Sequence, residues 1–180
     1  EKYRSRKWFV GLSSLAATVR VKTGNTDTEL VGGQWGVQAG ADQVLTARQV
    51  LRLRAGFDLL RTRAEITDPD DCGGDLECKL WTHYATASLG FNFQAMPEGH
   101  PWNVGISTAF TGFLPLSRES DALDASKLAL DGGFEAGAFA HFKTNPITWV
   151  EFSMQRIFLR DTDSVRPSLL RFNLSWIQNF

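Results

Sequence analysis

The feature that most constrains what this chain can fold into is a period of two. Apolar residues recur at alternate positions over runs of about a dozen residues, and clusters of turn-forming residues separate the runs. A strand sends successive side chains to opposite faces, so runs of this kind make two-faced strands; a helix would need a period of 3.6. The stretch 43–53 has a composition that a helix would tolerate. The alternation of Leu51, Leu53, Ala55, Phe57 and Leu59 continues through its end, so it reads as a turn followed by a strand.

Eight strands follow from the pattern, over about 7–22, 30–41, 48–63, 80–93, 102–113, 127–142, 147–159 and 169–180. In the first, Phe9, Leu15, Ala17, Val19 and Val21 share a face. In the second, Trp35, Val37, Ala39 and Ala41 alternate with Gln34, Gly36, Gln38 and Gly40. In the fourth, Ala85, Ala87, Leu89, Phe91 and Phe93 alternate with Tyr84, Thr86, Ser88, Gly90 and Asn92. The connections are of two kinds. Those at 42–47, 95–101 and 143–146 are short, and those at 62–79, 114–126 and 160–167 are longer and more acidic. The connection at 23–29 is shorter but equally polar. Antiparallel strands with short turns at one end and long loops at the other close into an up-and-down β-barrel. With 180 residues the chain has room for one domain, spanning 1–180.

Composition narrows the setting. A net charge of -1 gives no basic patch for nucleic acid. No apolar run approaches the ~18 residues of a membrane helix. The mean hydropathy of -0.19 is what alternating barrel strands give, because every apolar residue is averaged with a polar one. The chain opens Glu1-Lys2-Tyr3-Arg4, and we expect a mature protein from which a secretion signal has been removed.

Period two alone does not say which face points inward. Lys2, Lys7, Lys22, Lys79, Lys127 and Lys143 all fall at strand ends or outside strands. The polar face is left mainly to Gly, Ser, Thr, Asn and Gln, with a few arginines and carboxylates, which suits a narrow, filled lumen rather than a wet surface. Aromatic residues gather at strand ends on the short-turn side: Trp8, Phe93, Trp102, Phe142, Trp149, Trp176 and Phe180. Rings placed so form the girdle of a membrane barrel, and Trp81, Phe113 and Phe158 would form a sparser one opposite. The expected architecture is therefore a closed antiparallel transmembrane β-barrel with its apolar face outward.

The last strand, Phe172-Asn-Leu-Ser-Trp-Ile-Gln-Asn-Phe180, resembles the terminal strand of bacterial outer-membrane proteins. Phe172, Leu174, Trp176 and Phe180 match that pattern, and Gln178 departs from it. In length and layout the chain is similar to the small eight-stranded outer-membrane barrels of the OmpX, Ail and OmpA membrane-domain type. The resemblance implies a Gram-negative outer membrane, periplasmic termini, contact with lipid and lipopolysaccharide, and handling by the barrel-assembly machinery. It implies neither cofactor nor metal, and it leaves any surface or periplasmic protein partner unnamed.

Three constellations could carry chemistry. Arg52, Arg54, Asp58, Asp131, Glu135, Glu151 and Arg171 fall on the polar face. They read as a salt-bridged plug, with a proton or ion path through a narrow channel as the alternative. The loops are acidic, as in Asp68-Pro-Asp-Asp71, with interleaved arginines; they could bridge to lipid phosphates through cations, adhere to a surface, or simply be solvated. The stretch His83-Tyr84-Ala85-Thr86 resembles the His-x-Ser-Asn stretch of the lipid A deacylase PagL, but Ala85 stands where the nucleophilic serine belongs. The expected function is thus a structural or surface-interaction barrel and not an enzyme. A lipid A-modifying enzyme and a narrow channel are the alternatives.

Cys72 and Cys78 lie close together in a Gly- and Asp-rich segment. A disulfide between them suits an oxidising compartment; free thiols, or half a zinc site with His83, are the other readings. We expect thiol titration of the unfolded, unreduced protein to find no free thiol, and the same titration after reduction to find both. Two thiols before reduction would exclude the disulfide.

Overall fold

The computed structural model describes residues 6–23, 26–65, 77–120, 132–159 and 165–179, with the side chains nearest the intervening segments outside the description. Eight strands run β1 (Arg6–Thr23), β2 (Thr26–Thr46), β3 (Gln49–Glu65), β4 (Glu77–Gln94), β5 (Trp102–Ser120), β6 (Gly132–Asn145), β7 (Thr148–Leu159) and β8 (Val165–Asn179). Each pairs antiparallel with the next, and β8 pairs with β1, so the sheet closes into a barrel. Closure leaves no sheet edge within the described residues, because every strand has two hydrogen-bonded neighbours. The short connections lie at one end, the turn end, together with the start of β1 and the end of β8, where Lys7 faces Asn179. The other end is the loop end.

Several strands are longer than the alternation suggested, whereas the described part of β6 starts at Gly132 and β7 at Thr148, later than expected. β2 starts at Thr26 and ends at Thr46, and β5 continues to Ser120. Only Gly24 and Asn25 separate β1 from β2. β2 has 21 residues, about twice the ~9–11 a tilted strand needs to cross the hydrocarbon. Beyond that depth neither face of the wall must be apolar, so the period of two fades from the sequence while the backbone ladder continues. The ladder carries three irregularities: at Val44/Thr46, at His83/Tyr84 and at Lys143/Asn145.

The outward positions are apolar. Trp8, Val10 and Leu12 on β1, Trp35 and Val37 on β2, Leu89, Phe91 and Phe93 on β4, and Phe172, Leu174 and Trp176 on β8 are all exposed. Phe110 is 73% exposed, and its ring meets that of Phe134, which in turn meets Phe158 across three adjacent strands. The inward positions are mostly polar: Ser13, Gln38, Ser88, Asn92, Ser107, Ser153 and Ser175 are buried. This inversion of a soluble barrel is what a hydrocarbon surround requires.

Three aromatic residues depart from the expected facing. Phe9 was expected on an outward face, yet it is buried in the lumen with Trp149 and Ile177. Trp8, Val10 and Leu12 take the outward places on β1, so the apolar face expected to point outward there, that of Phe9, is the inward one. Trp149 was expected in the girdle and is instead only 4% exposed, inside the barrel. Two cations lie over its ring, with Lys7 Nζ 4.4 Å and Lys143 Nζ 5.3 Å from its centroid. Phe113, expected in the opposite girdle, packs inward against Tyr84, Ile157 and Leu169. Apolar side chains thus fill both ends of the lumen and leave the polar set between them.

Glycines make room for these inward rings. A Cβ on Gly40 would lie 2.5 Å from Phe9 Cζ, and one on Gly105 would lie 2.7 Å from Phe139 Cζ. Each ring lies over a glycine on the adjacent strand, so bulk and vacancy alternate around the wall. Gly33 has open space around it. Gly40→Ala should therefore destabilise the detergent-folded barrel by ~1–3 kcal/mol, as overpacking does. Gly33→Ala should change it by less than about 0.5 kcal/mol, as substitutions away from packed features do. Urea unfolding midpoints of the two variants test the difference.

Candidate functional site

Between the two apolar ends lies a network of buried ions, each placed by strand parity. Arg52, Arg54 and Asp58 alternate along β3 with Leu51, Leu53, Ala55 and Phe57, so they project inward while the apolar set faces out. Glu135 projects inward from β6, Glu151 from β7 and Arg171 from β8.

The ions sort into two groups. In the first, nearer the turn end, Arg52 is forked between two carboxylates. Its Nε and Nη2 donate to Asp42 Oδ1 and Oδ2, both at 2.8 Å. Its Nη1 donates to Glu151 Oε1, and its Nη2 also reaches Glu151 Oε2 at 3.0 Å. The Phe9 ring covers the guanidinium, with its centroid 4.8 Å from Cζ. His141 Nδ1 stands 3.9 Å from Glu151 Oε2. In the second group, Glu135 is held by two arginines. Arg54 Nη2 donates to its Oε2 at 2.5 Å and Arg171 Nη1 to its Oε1 at 2.8 Å. Arg171 Nη2 continues to Asp58 Oδ2 at 3.2 Å, and Asp58 also accepts from Ser13 and Thr86. A Cβ on Gly36 would fall against Asp58 Oδ1, so that glycine opens the space the carboxylate occupies.

Neutral side chains join the groups. Arg54 donates to Ser88 Oγ at 2.8 Å and to Gln155 Oε1 at 3.1 Å. Gln155 in turn donates to Ser107 and accepts from Asn173. The void bounded by Arg52, Arg54, Ser88, Asn92, Ser107 and Gln155 has a volume of about 10 Å³, the room of at most one water. At the turn end Lys7 pairs with Glu98 on the β4–β5 connection. That connection is tied down by the Glu98 amide, which donates to Ala47 O at 2.6 Å, and by Asn103, which donates to Met96 O at 2.8 Å.

Of the ionic residues read from the sequence, Arg54, Asp58, Glu135 and Arg171 come together, and Arg52 and Glu151 form the separate group. Asp131 lies outside the described residues. Asp42, Lys7 and Glu98 belong to the ionic set but were not identified from sequence. Asp42 fell beyond the expected end of the second strand, yet its parity with Gln38 and Gly40 would have placed it inward. Lys7 and Glu98 carry no such signal, because they meet only when the β4–β5 connection folds under the wall. Cys72 lies outside the described residues and the side chain of Cys78 is not described. Phe180 is also outside them, while Phe172, Leu174 and Trp176 face outward. His83 is half-buried and stacks on Phe57, with centroids 5.8 Å apart. Trp8, Phe93, Trp102 and Phe142 are exposed rings near the turn end.

Solved structures of outer-membrane barrels resemble this fold along nearly the whole chain. The outer membrane protein OprG from Pseudomonas aeruginosa matches with a TM-score of 0.60 at 8% identity, covering 99% of this chain and 97% of that one. The N-terminal β-barrel domain of OprF from the same organism covers 94% and 97% with a TM-score of 0.48 at 13% identity. Neisserial surface protein A covers 96% and 97% with a TM-score of 0.46 at 11% identity. No family model matches the sequence, and no curated protein matches it at a significant level. At 8% identity the likeness to OprG is one of fold: the chain folds as a small eight-stranded outer-membrane barrel.

Removing one partner of a buried ion pair leaves the other charge uncompensated, which typically costs ~3–5 kcal/mol. Glu135→Ala strands part of both Arg54 and Arg171 and should lower barrel stability by about that amount. Adding Arg54→Met should recover part of the loss, because it removes one of the orphaned charges. A double-mutant cycle in urea that returned simple additivity would show that the two residues do not interact.

Proposed function

We propose that this chain is an integral protein of a Gram-negative outer membrane, and that it is a rigid, closed anchor rather than a channel or an enzyme. Its turn end, with both termini, faces the periplasm. Its loop end faces outward and carries the contacts with lipopolysaccharide or with a protein surface. The observation that carries this reading is the filled lumen: among the described residues three arginines and four carboxylates pair inside it in two groups, Lys7 and Glu98 pair at its turn end, apolar clusters lie toward both ends, and the void beside Arg54 holds no more than one water. The apolar exterior supports the membrane placement, since the 26 exposed large hydrophobic side chains among the described residues would be an aggregation liability on a small soluble protein. Exposed Trp8, Phe93, Trp102, Phe142 and Trp176 fit an interfacial girdle at the periplasmic side. Phe172, Leu174 and Trp176 supply the outward face by which assembly machinery would read the last strand. His83 stacks on Phe57, and Ala85 stands where the deacylase stretch has its serine.

The purified protein should need detergent to fold and should change its gel mobility on heating. In a planar bilayer it should give no steady conductance. Steady ion-selective current whose selectivity changes in Glu135→Ala, without loss of stability, would replace the plug by a conducting path. A monodisperse folded protein without any amphiphile would remove the membrane placement altogether.

A further inference from the structure

We propose that Arg156, on the outside of the barrel wall, binds the phosphate of an anionic lipid; this rests on the outer-membrane placement proposed above. Arg156 is exposed on the outward register of β7, between Met154 and Phe158. Its direct cross-strand neighbours are Ala136 on β6 and Leu170 on β8. Phe134 stands opposite Phe158, and Phe172 opposite Met154. The outward positions flanking Arg156 on β6, β7 and β8 are thus apolar, and its guanidinium carbon lies 5.3 Å from the centroid of the Phe158 ring. Among the described residues no carboxylate pairs with it, whereas Arg52, Arg54 and Arg171 each have one.

A cation on the lipid face of a barrel costs ~2–4 kcal/mol at the bilayer midplane and ~0–1 kcal/mol near the interface. Arg156 is three residues from Leu159, the end of β7 on the loop side. At ~3.3 Å per residue along a tilted strand, that distance is within the reach of an arginine that extends its charge to the interface. The chemistry it finds there decides the ligand. A planar fork of N–H donors matches phosphate oxygens in bidentate fashion. The surrounding Met154, Phe134, Phe158 and Leu170 offer acyl chains a surface directly beside that charge. A free phosphate would use only the first of these features and a lipid uses both.

The test titrates the folded, full-length protein in detergent with diphosphoryl lipid A, with the same lipid stripped of both phosphates, and with inorganic phosphate. Bound lipid is counted by native mass spectrometry, and folding is checked by heat-modifiable gel mobility. Wild-type protein should bind the diphosphoryl lipid about tenfold more tightly than the stripped lipid, the size expected for a hydrogen-bonded charge pair. Arg156→Gln should remove that preference while keeping the folded mobility, and Arg156→Lys should keep part of it. Equal binding of both lipids by the wild type overturns the site, as does an unchanged preference in Arg156→Gln. Competition by inorganic phosphate at equal concentration overturns the lipid source. If Arg156→Gln fails to fold, the two wild-type lipid titrations and Arg156→Lys still decide. A wild-type protein that folds without amphiphile defeats the membrane placement, whereas a detergent-dependent barrel with no phosphate preference defeats this site alone.

Discussion

The rest of this structure depends on the ladder between β8 and β1. In hydrocarbon there is no water to satisfy an unpaired amide, so a sheet can cross a membrane only if it has no edge. Pairing from Lys7↔Asn179 to Val21↔Val165 removes that edge. Once eight strands are closed, the radius is set, and with it the width of the lumen: just enough for side chains to meet across it. Everything inside is a consequence. The arginines of β3 reach Glu135 on β6 and Glu151 on β7 because closure puts those strands across a narrow bore.

That bore then imposes its own accounting of charge and volume. A charge taken from water is tolerated only when it is paired and its remaining donors and acceptors are met. Arg52 meets this condition by forking between Asp42 and Glu151, and Arg54 by spreading its donors over Ser88, Gln155 and Glu135. Volume is balanced in the same way. Phe9 and Phe139 each occupy the space a neighbouring strand leaves at a glycine. The two apolar ends, around Trp149 and around Tyr84, keep water from the ions between them. Arg156 is the exterior counterpart of the same rule: no carboxylate among the described residues pairs with it, and the lipid phosphate we propose supplies the partner.

The architecture was legible in the sequence because a strand's facing is local. Period two separated the two faces of β2, β3 and β4, and the lysines at strand ends, the small polar residues and the aromatic placement said which face is inward, so Arg54, Asp58 and Glu135 fell on the lumen side. Some facings were misread. On β7 the alternation of Glu151, Ser153 and Gln155 with Phe152 and Met154 sets Trp149 inward, against its expected place in the girdle, and on β1 the run Leu15, Ala17, Val19 and Val21 drew Phe9 to the wrong face. Past the hydrocarbon, as at the loop end of β2 and β5, both faces can be polar and the strand leaves no signature.

The sequence by itself thus determined eight two-faced strands, their antiparallel order and the polarity of each face, because these follow from neighbours along the chain. Only the tertiary structure decided which ions pair. Arg52 chose Asp42 and Glu151, and Arg54 chose Glu135, by the stagger and tilt with which the strands closed. It likewise decided that Lys7 and Lys143 would lie over Trp149, and that Lys7 would also meet Glu98. Those contacts join residues far apart in the chain, and their geometry exists only after β8 has found β1.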